Sequence, residues 1–294
     1  MRVAVVAHRD KLDARNEQGL RAALGEAGLT AASWTLISKG KHAADVATEA
    51  VDEGAEVVIV GGGDGTVRAG AGALVHRQAA LAVLPVGTAN LFAGALELPV
   101  EPADVVAMIS SGQRRTIDTG RCNGEPFIVM AGTGFDAAMV DAADSSKERL
   151  GMIAYLRAGF HEARTRRPFE AKVVVDGKEI FSGEGTSVIV GNVGTLKGGV
   201  VAFPGAAVDD GLLDVGIVTA EGMRQWASLM VATVRKRQRE SPHAQLSRGR
   251  EISIALDGKH RFQLDGGAKG TSKRLHIEVI PASLTVCAPV TPAS

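Results

Sequence analysis

The sequence predicts an α/β domain on a parallel sheet, followed by a β-rich antiparallel sandwich domain. Three observations lead there. Short apolar runs alternate with Ala-rich helical stretches over about the first hundred residues, and two glycine-rich loops in that part directly follow buried strands. From about Thr116, Asp-Gly, Asn-Gly and Gly-Gly pairs divide short β-rich runs. Strand–helix units with short connections favour parallel pairing and right-handed crossovers, whereas Asp-Gly and Asn-Gly pairs between strands mark hairpins. At 294 residues the chain is long for one compact domain and comfortable for two.

The elements follow in order. Arg2–Ala7 reads as a strand, and Asn16–Ala27 as a helix ended by Gly28. Ala32–Ile37 is a second strand, His42–Glu53 a helix stopped by Gly54, and Val57–Val60 a buried β-branched strand. Gly61–Gly65 turns the chain into a helix over Thr66–His76, and Leu81–Leu84 is the next strand. Downstream strands are expected over Phe127–Ala131, Glu170–Val175, Glu179–Phe181, Thr186–Val190, Leu213–Val218, Glu251–Leu256 and His260–Leu264. Asp176-Gly177 and Asp257-Gly258 read as two-residue hairpin turns. Helices are expected over Ser146–Arg164 and over Gly222–Arg239, the latter with an apolar start and a basic end, and the tail Pro289–Ser294 reads as frayed.

Composition excludes several classes. With 45% hydrophobic and 22% charged residues and 36 glycines, the chain is a turn-rich globular protein, not a fibrous or disordered one. A net charge of +0 from 33 basic and 33 acidic residues gives no bulk case for nucleic-acid binding. The two cysteines, Cys122 and Cys287, lie far apart and without metal-ligand spacing, which predicts reduced thiols and a cytoplasmic protein. No apolar stretch approaches the roughly 18 residues a membrane span requires. A lipid substrate would therefore be met at the membrane surface.

Chemistry concentrates in the two loops. Gly61-Gly62-Gly63-Asp64-Gly65-Thr66 joins a buried strand to a helix. Glycines there allow a tight turn and leave backbone N–H groups facing outward at a helix N-terminus, which suits phosphate. Asp64 is acidic where phosphate would repel it, so a metal ion or a reacting hydroxyl is the reason to keep it. No Gly-Lys-Ser/Thr follows, and the spacing is not that of a dinucleotide fingerprint. Pro85-Val86-Gly87-Thr88-Ala89-Asn90 ends the next strand, and ligands bind at the carboxyl ends of strands in such sheets. Gly87, Thr88 and Asn90 therefore join Gly61–Thr66 as candidate nucleotide contacts.

Gly-Gly-Asp-Gly-Thr followed by Gly-Thr-x-Asn resembles the signature of the diacylglycerol kinase catalytic-domain superfamily, which includes bacterial lipid kinases and sphingosine kinases and is related to NAD kinases. The resemblance continues through Ile117-Asp118-Thr119-Gly120, Leu150–Leu156, Gly191-Asn192, Lys197-Gly198-Gly199, Pro204-Gly205-Ala206, Asp209–Asp214 and Gln263-Leu264-Asp265-Gly266. It implies a nucleotide-binding domain over residues 1–118, completed by about 281–294, a β-sandwich substrate and metal domain over 119–280, and an active site in the cleft between them. It further implies ATP phosphates on Gly62–Thr66 and Thr88 with Ser38 as a further contact, and Mg²⁺ held by Asp210 and the carbonyls of Ala207 and Leu212. Asp118 and Asp64 would belong to an acidic network running from that ion, and Asp265 or Asp64 would orient or deprotonate a lipid hydroxyl.

Three positions depart from the family pattern. The loop after the first strand is Ala7-His8-Arg9-Asp10-Lys11, where the family has an Asn-Pro-x-Ser-Gly-like segment. Arg9 or Lys11 would contact phosphate by charge, or the loop is simply solvated, the reading favoured here. Leu91 follows Asn90 where lipid kinases commonly carry a second aspartate, and Gly267 stands where the family's Asp-Gly-Glu supplies a proton-accepting glutamate. The basic run Arg235-Lys236-Arg237-Gln238-Arg239 is read either as a docking surface for an anionic membrane or as a solvated helix end. The leading expectation is an ATP- and Mg²⁺-dependent lipid kinase. A binding protein that lost turnover and a soluble-substrate kinase of the NAD-kinase type are the alternatives. A homodimer is compatible with each and required by none.

Overall fold

The computed structural model describes residues 1–29, 31–40, 42–134, 168–196, 200–235 and 237–289. The helix expected over Ser146–Arg164, the Leu150–Leu156 and Lys197-Gly198-Gly199 motifs, Lys236 and the tail from Val290 lie outside the described residues. The chain divides into two compact units, one of Met1–Thr119 with the C-terminal segment from Ala282, the other of Gly120–Pro281.

The first unit alternates β1 (Val3–His8), α1 (Ala14–Glu26), β2 (Ala31–Ile37), α2 (His42–Asp52), β3 (Val57–Gly62), α3 (Asp64–Leu74) and β4 (Ala80–Pro85), then α4 (Leu91–Ala95) and α5 (Pro102–Ser110). Its strands lie in the order β2-β1-β3-β4, all parallel. Every residue of β3 and β4 is buried, as a parallel sheet covered on both faces requires. Each crossover returns the chain to the same end, so the carboxyl ends of β1, β3 and β4 stand side by side: Ala7 pairs with Gly61, and Gly62 with Pro85. That alignment brings the two glycine loops together.

The second unit contains the end of β5 (Arg115–Cys122), then β6 (Glu125–Phe127), β7 (Met130–Thr133), β8 (Phe169–Val175), β9 (Lys178–Gly185), β10 (Ser187–Gly191), β11 (Thr195–Leu196), β12 (Val200–Val201), β13 (Leu213–Val218), α6 (Gly222–Val234), β14 (Ala244–Gly249), β15 (Glu251–Leu264) and β16 (Gly267–Val286). Strands β14-β13-β10-β7-β15-β16 pair in that order and antiparallel, with β8 added on β15 and β9 on β8. Phe127, Val173, Val188, Val215, Ile217, Ile252, Ile254, Leu264 and Ile277 form its core.

Three sequence expectations are corrected here. Asp257-Gly258 is not a hairpin turn, because β15 runs through it and the register with β16 slips between Ala255 and His260. The Asp257 carboxylate is held by His260 Nε2 at 2.6 Å and accepts the Glu170 N–H at 3.3 Å, so the extra residues form a bulge. The β15–β16 turn is instead Asp265-Gly266, both left-handed at φ 49° and 77°. The run Phe127–Ala131 splits into β6 and β7 because the N–H groups between them turn toward the Asp265 side chain. The helix from Gly222 stops at Val234, and Gln238–Glu240 forms a separate 3₁₀ turn.

Candidate nucleotide site

The first loop is shaped by steric necessity. A Cβ on Gly62 would lie 2.6 Å from Thr66 Cβ, and one on Gly87 would lie 2.3 Å from Gly63 Cα. The two loops are therefore in backbone contact, and only glycine permits it. Gly63 caps α3 in an extended conformation, with Asp64, Gly65 and Thr66 in the first turn. The Thr66 and Val67 N–H groups donate to the Gly63 carbonyl at 2.9 and 3.0 Å, and the helix dipole adds to the attraction of the amides before them for an anion. Asn90, at φ 48°, stiffens the second loop: its Oδ1 accepts the Gly87 N–H at 2.9 Å and its Nδ2 donates to the carbonyls of Pro85 and Gly87 at 3.1 and 2.8 Å. Its side chain is thus engaged in holding the loop. Thr88 is exposed beside it, while Thr66 is buried, its hydroxyl 2.8 Å from where a Cβ on Gly40 would be. Ser38 is exposed in that same β2–α2 loop.

Two side chains give the loops their charge. Asp64 Oδ1 accepts the Leu91 N–H at 2.6 Å, clamping one loop onto the other. Burial pushes the Asp64 carboxyl above its ordinary range, against the pull of backbone N–H groups at Leu91, Phe92 and Asn90. Leu91 itself is buried at 2% exposure, so the residue standing in place of a second aspartate serves the core. The Lys11 ammonium lies 2.7 Å from the point a Cβ on Gly63 would occupy. Lys11 is exposed, as the solvated reading of its loop expects, and its ammonium also hangs over the glycine turn. Its position just past the end of β1, at the same sheet edge as both loops, was the available signal.

In the β-rich unit, Asp265 is buried at 3% exposure. Its Oδ1 accepts the N–H groups of Val129 and Met130 at 2.8 and 2.9 Å, and its Oδ2 accepts that of Ile128 at 3.1 Å. A carboxylate so committed is a brace for the hairpin and the 128–130 segment. Gly267 beside it is exposed, and a Cβ there would meet only the Leu264 carbonyl, at 3.4 Å. Asp118, in the first unit, is buried and accepts the Ala282 N–H at 2.7 Å.

The residues proposed for metal and nucleotide fit unequally. The glycine cradle with Lys11 fits triphosphate, since Gly65, in the first turn of α3, has open space where a Cβ would sit and the Lys11 ammonium stands over the turn. The 207–212 loop does not fit a dedicated divalent cation as it stands. Asp210 Oδ1 accepts the Leu212 N–H at 3.1 Å, and Arg248 pairs with both Asp210 and Asp214 at 3.2 Å. That guanidinium is shared between the two carboxylates, and no group of three or more acidic, histidine or cysteine side chains suited to a metal occurs among the described residues. Arg248 was missed in the sequence because its partners lie 34 residues or more away.

Two family models match the chain. Residues 10–122 match the diacylglycerol kinase catalytic domain, and residues 129–288 match the YegS C-terminal NAD kinase beta sandwich-like domain. A probable YegS-like lipid kinase of Xanthomonas oryzae pv. oryzae is 32% identical over 82% of this chain and 82% of its own length. A diacylglycerol kinase of Bacillus subtilis is 29% identical over 75% of each chain. The chain spans under two thirds of the first curated relatives it matches, 56% of a Synechocystis protein and 58% of a Pseudomonas aeruginosa YegS-like lipid kinase. Among solved structures, a diacylglycerol kinase from Bacillus anthracis shares the fold at TM-score 0.74 and 20% identity, covering 98% of this chain and 97% of that one. An ATP-bound NAD kinase from Archaeoglobus fulgidus shares it at TM-score 0.54 and 13% identity, covering 97% and 93%. The chain belongs to the diacylglycerol kinase catalytic domain family and carries that family's YegS C-terminal NAD kinase beta sandwich-like domain.

Proposed function

We propose that the protein is an ATP-dependent lipid kinase that transfers the γ-phosphoryl group to a hydroxyl of diacylglycerol or a related lipid. The observation carrying this is the backbone contact between the Gly61–Thr66 and Gly87–Asn90 loops under the Lys11 ammonium. Gly62–Thr66 and Thr88 hold the phosphates, and Lys11 supplies a point charge where the family's usual first loop is absent. Asp64 is the acid of the cradle. Its carboxyl, raised by burial, is a better proton acceptor than an ordinary aspartate, and it would help hold the Mg²⁺ that accompanies ATP. When bound, that ion would supply neutralisation of charge on the transferring phosphoryl group. Asp265 positions the 128–130 segment and the hairpin, and is not assigned the proton.

The lipid acceptor rests on the names of the relatives and on one feature of the β-rich unit. Beneath α6, Trp226, Leu229 and Met230 enclose an apolar hollow of about 70 Å³ against Ile189, Phe203 and Leu246. It is suited to a few methylene groups. No helix among the described residues is long and apolar enough to cross a membrane, so the lipid is taken from the membrane surface. With Gly267 offering no carboxylate, transfer is slow.

The test is label transfer from γ-labelled ATP to diacylglycerol and other lipids in mixed micelles, with NAD as a soluble acceptor in parallel. Slow, lipid-dependent transfer is expected. ATP binding without transfer to any lipid would reduce the protein to a binding role, and transfer to NAD would overturn the lipid assignment.

A further inference from the structure

The α/β unit contains a cavity of about 680 Å³ away from the glycine loops, at the amino-terminal ends of β3 and β4. Val57 and Ala80, the first residues of those strands, form its base, and its walls come from the segments after α2 and α3 and from Arg114. β3 is six residues long, so strand length alone separates this cavity from the phosphate loop by roughly 20 Å. The volume is that of a small-molecule pocket.

The charge on its wall is unbalanced. Arg114 is half-buried, and its guanidinium donates to the carbonyls of Gln113 at 2.9 Å and Ile109 at 3.4 and 3.5 Å, with the Met1 sulfur at 3.6 Å. None of these partners is a carboxylate. Arg77, on the same wall, is 43% exposed and shares one oxygen of Asp52 at 3.0 Å. Glu56 is the acid on the lining, and it already accepts the Arg2 N–H at 2.7 Å. His76 adjoins Arg77 in a left-handed conformation, φ 58°, with its N–H tied to the Ser283 carbonyl at 2.7 Å. Strain of this kind in a non-glycine residue gathers at ligand sites.

We propose that this cavity is a second ligand site, for a small organic anion whose phosphate or carboxylate pairs with Arg114 and Arg77 and whose apolar part lies on Val51, Val57 and Ala80. A guanidinium is a planar fork matched to two oxygens of one anionic group, and a half-buried one lacking an acid partner gains most from such a ligand. The same chemistry is offered by a free phosphate monoester and by a phospholipid headgroup. The site is independent of the kinase reading, since it shares no residue with the glycine loops.

Calorimetric titration tests it, with glycerol 3-phosphate as the soluble probe and phosphatidate vesicles as the headgroup probe. Wild type and Lys11→Ala should bind one of these saturably with similar affinity, while Arg114→Gln and Arg77→Gln should bind at least tenfold more weakly. Arginine-dependent binding of vesicles alone assigns the headgroup source, and of glycerol 3-phosphate the free ester. Arg114 also braces the end of α5, so if Arg114→Gln fails to fold, the exposed Arg77→Gln variant decides. Saturable binding of neither probe, or binding lost in Lys11→Ala and kept in both arginine variants, overturns the proposal.

Discussion

Asp64 in the α/β unit and Asp265 in the β-rich unit both sit in glycine turns, and both carboxylates accept backbone N–H groups. They differ in how much of the carboxylate is left. Asp64 is partly exposed, makes one short bond to Leu91, and carries a carboxyl raised by burial. Asp265 is 3% exposed and divides its two oxygens among three amides. An acid in a glycine turn is thus a backbone brace first, and it keeps chemistry only where solvent is near.

Four substitutions sharpen that contrast, from the largest expected effect down. Asp265→Ala strands three buried N–H donors and places alanine at φ 49°, so denaturant unfolding should show a loss of about 4 kcal/mol. A loss under about 1 kcal/mol would remove the brace role. Gly267→Glu adds a carboxylate at an exposed position with steric room, and should raise lipid phosphorylation on the order of 10²-fold with little change in stability. An unchanged rate would show that the missing base is not what limits transfer. Gly87→Ala drives a methyl group into the Gly63 backbone, and should lower stability by about 2 kcal/mol while abolishing saturable ATP binding.

Asp64→Asn should have the smallest effect on stability, and it is read through pH. The Asp64 carboxyl lies above its ordinary value of 3.8, so the folded state holds that proton more tightly than the unfolded state. Its contribution to stability is therefore present below that value and falls as pH rises through the higher folded-state value. Asparagine still accepts the Leu91 N–H without this slope. Melting temperatures should show the variant gaining on wild type from acid toward neutral pH, while its phosphotransfer falls. A variant that loses ground as pH rises would contradict the burial argument.

The fold was legible where periodicity is strong. Buried runs such as Val57–Val60 and Leu81–Leu84 and their glycine punctuation read directly as parallel strands, and Asp176-Gly177 read as the hairpin it is, both residues left-handed at φ 47° and 76°. Asp257-Gly258 misled because the same dipeptide also suits a bulge, and its partners His260 and Glu170 decide which forms. Asp265-Gly266 carried the identical hairpin signal but was read for chemistry, so its turn role was overlooked. The glycine loops were visible because sterics leave a compositional mark. Arg248 and Arg114 were not, because a lone basic residue acquires meaning only from neighbours that the fold brings from elsewhere in the chain, and Lys11 was visible as a charge in the first loop but not as lying over the glycine turn.

The central claim is that the Gly61–Thr66 loop, with Lys11 above it, receives the phosphates of ATP. Equilibrium titration of ATP with Mg²⁺ against wild type and Lys11→Ala addresses it directly. A charge-assisted contact to phosphate contributes about 1.5–3 kcal/mol, so wild type should bind at one site per chain and Lys11→Ala roughly tenfold or more weakly. Equal affinity in the two proteins would contradict the placement of the nucleotide on this loop.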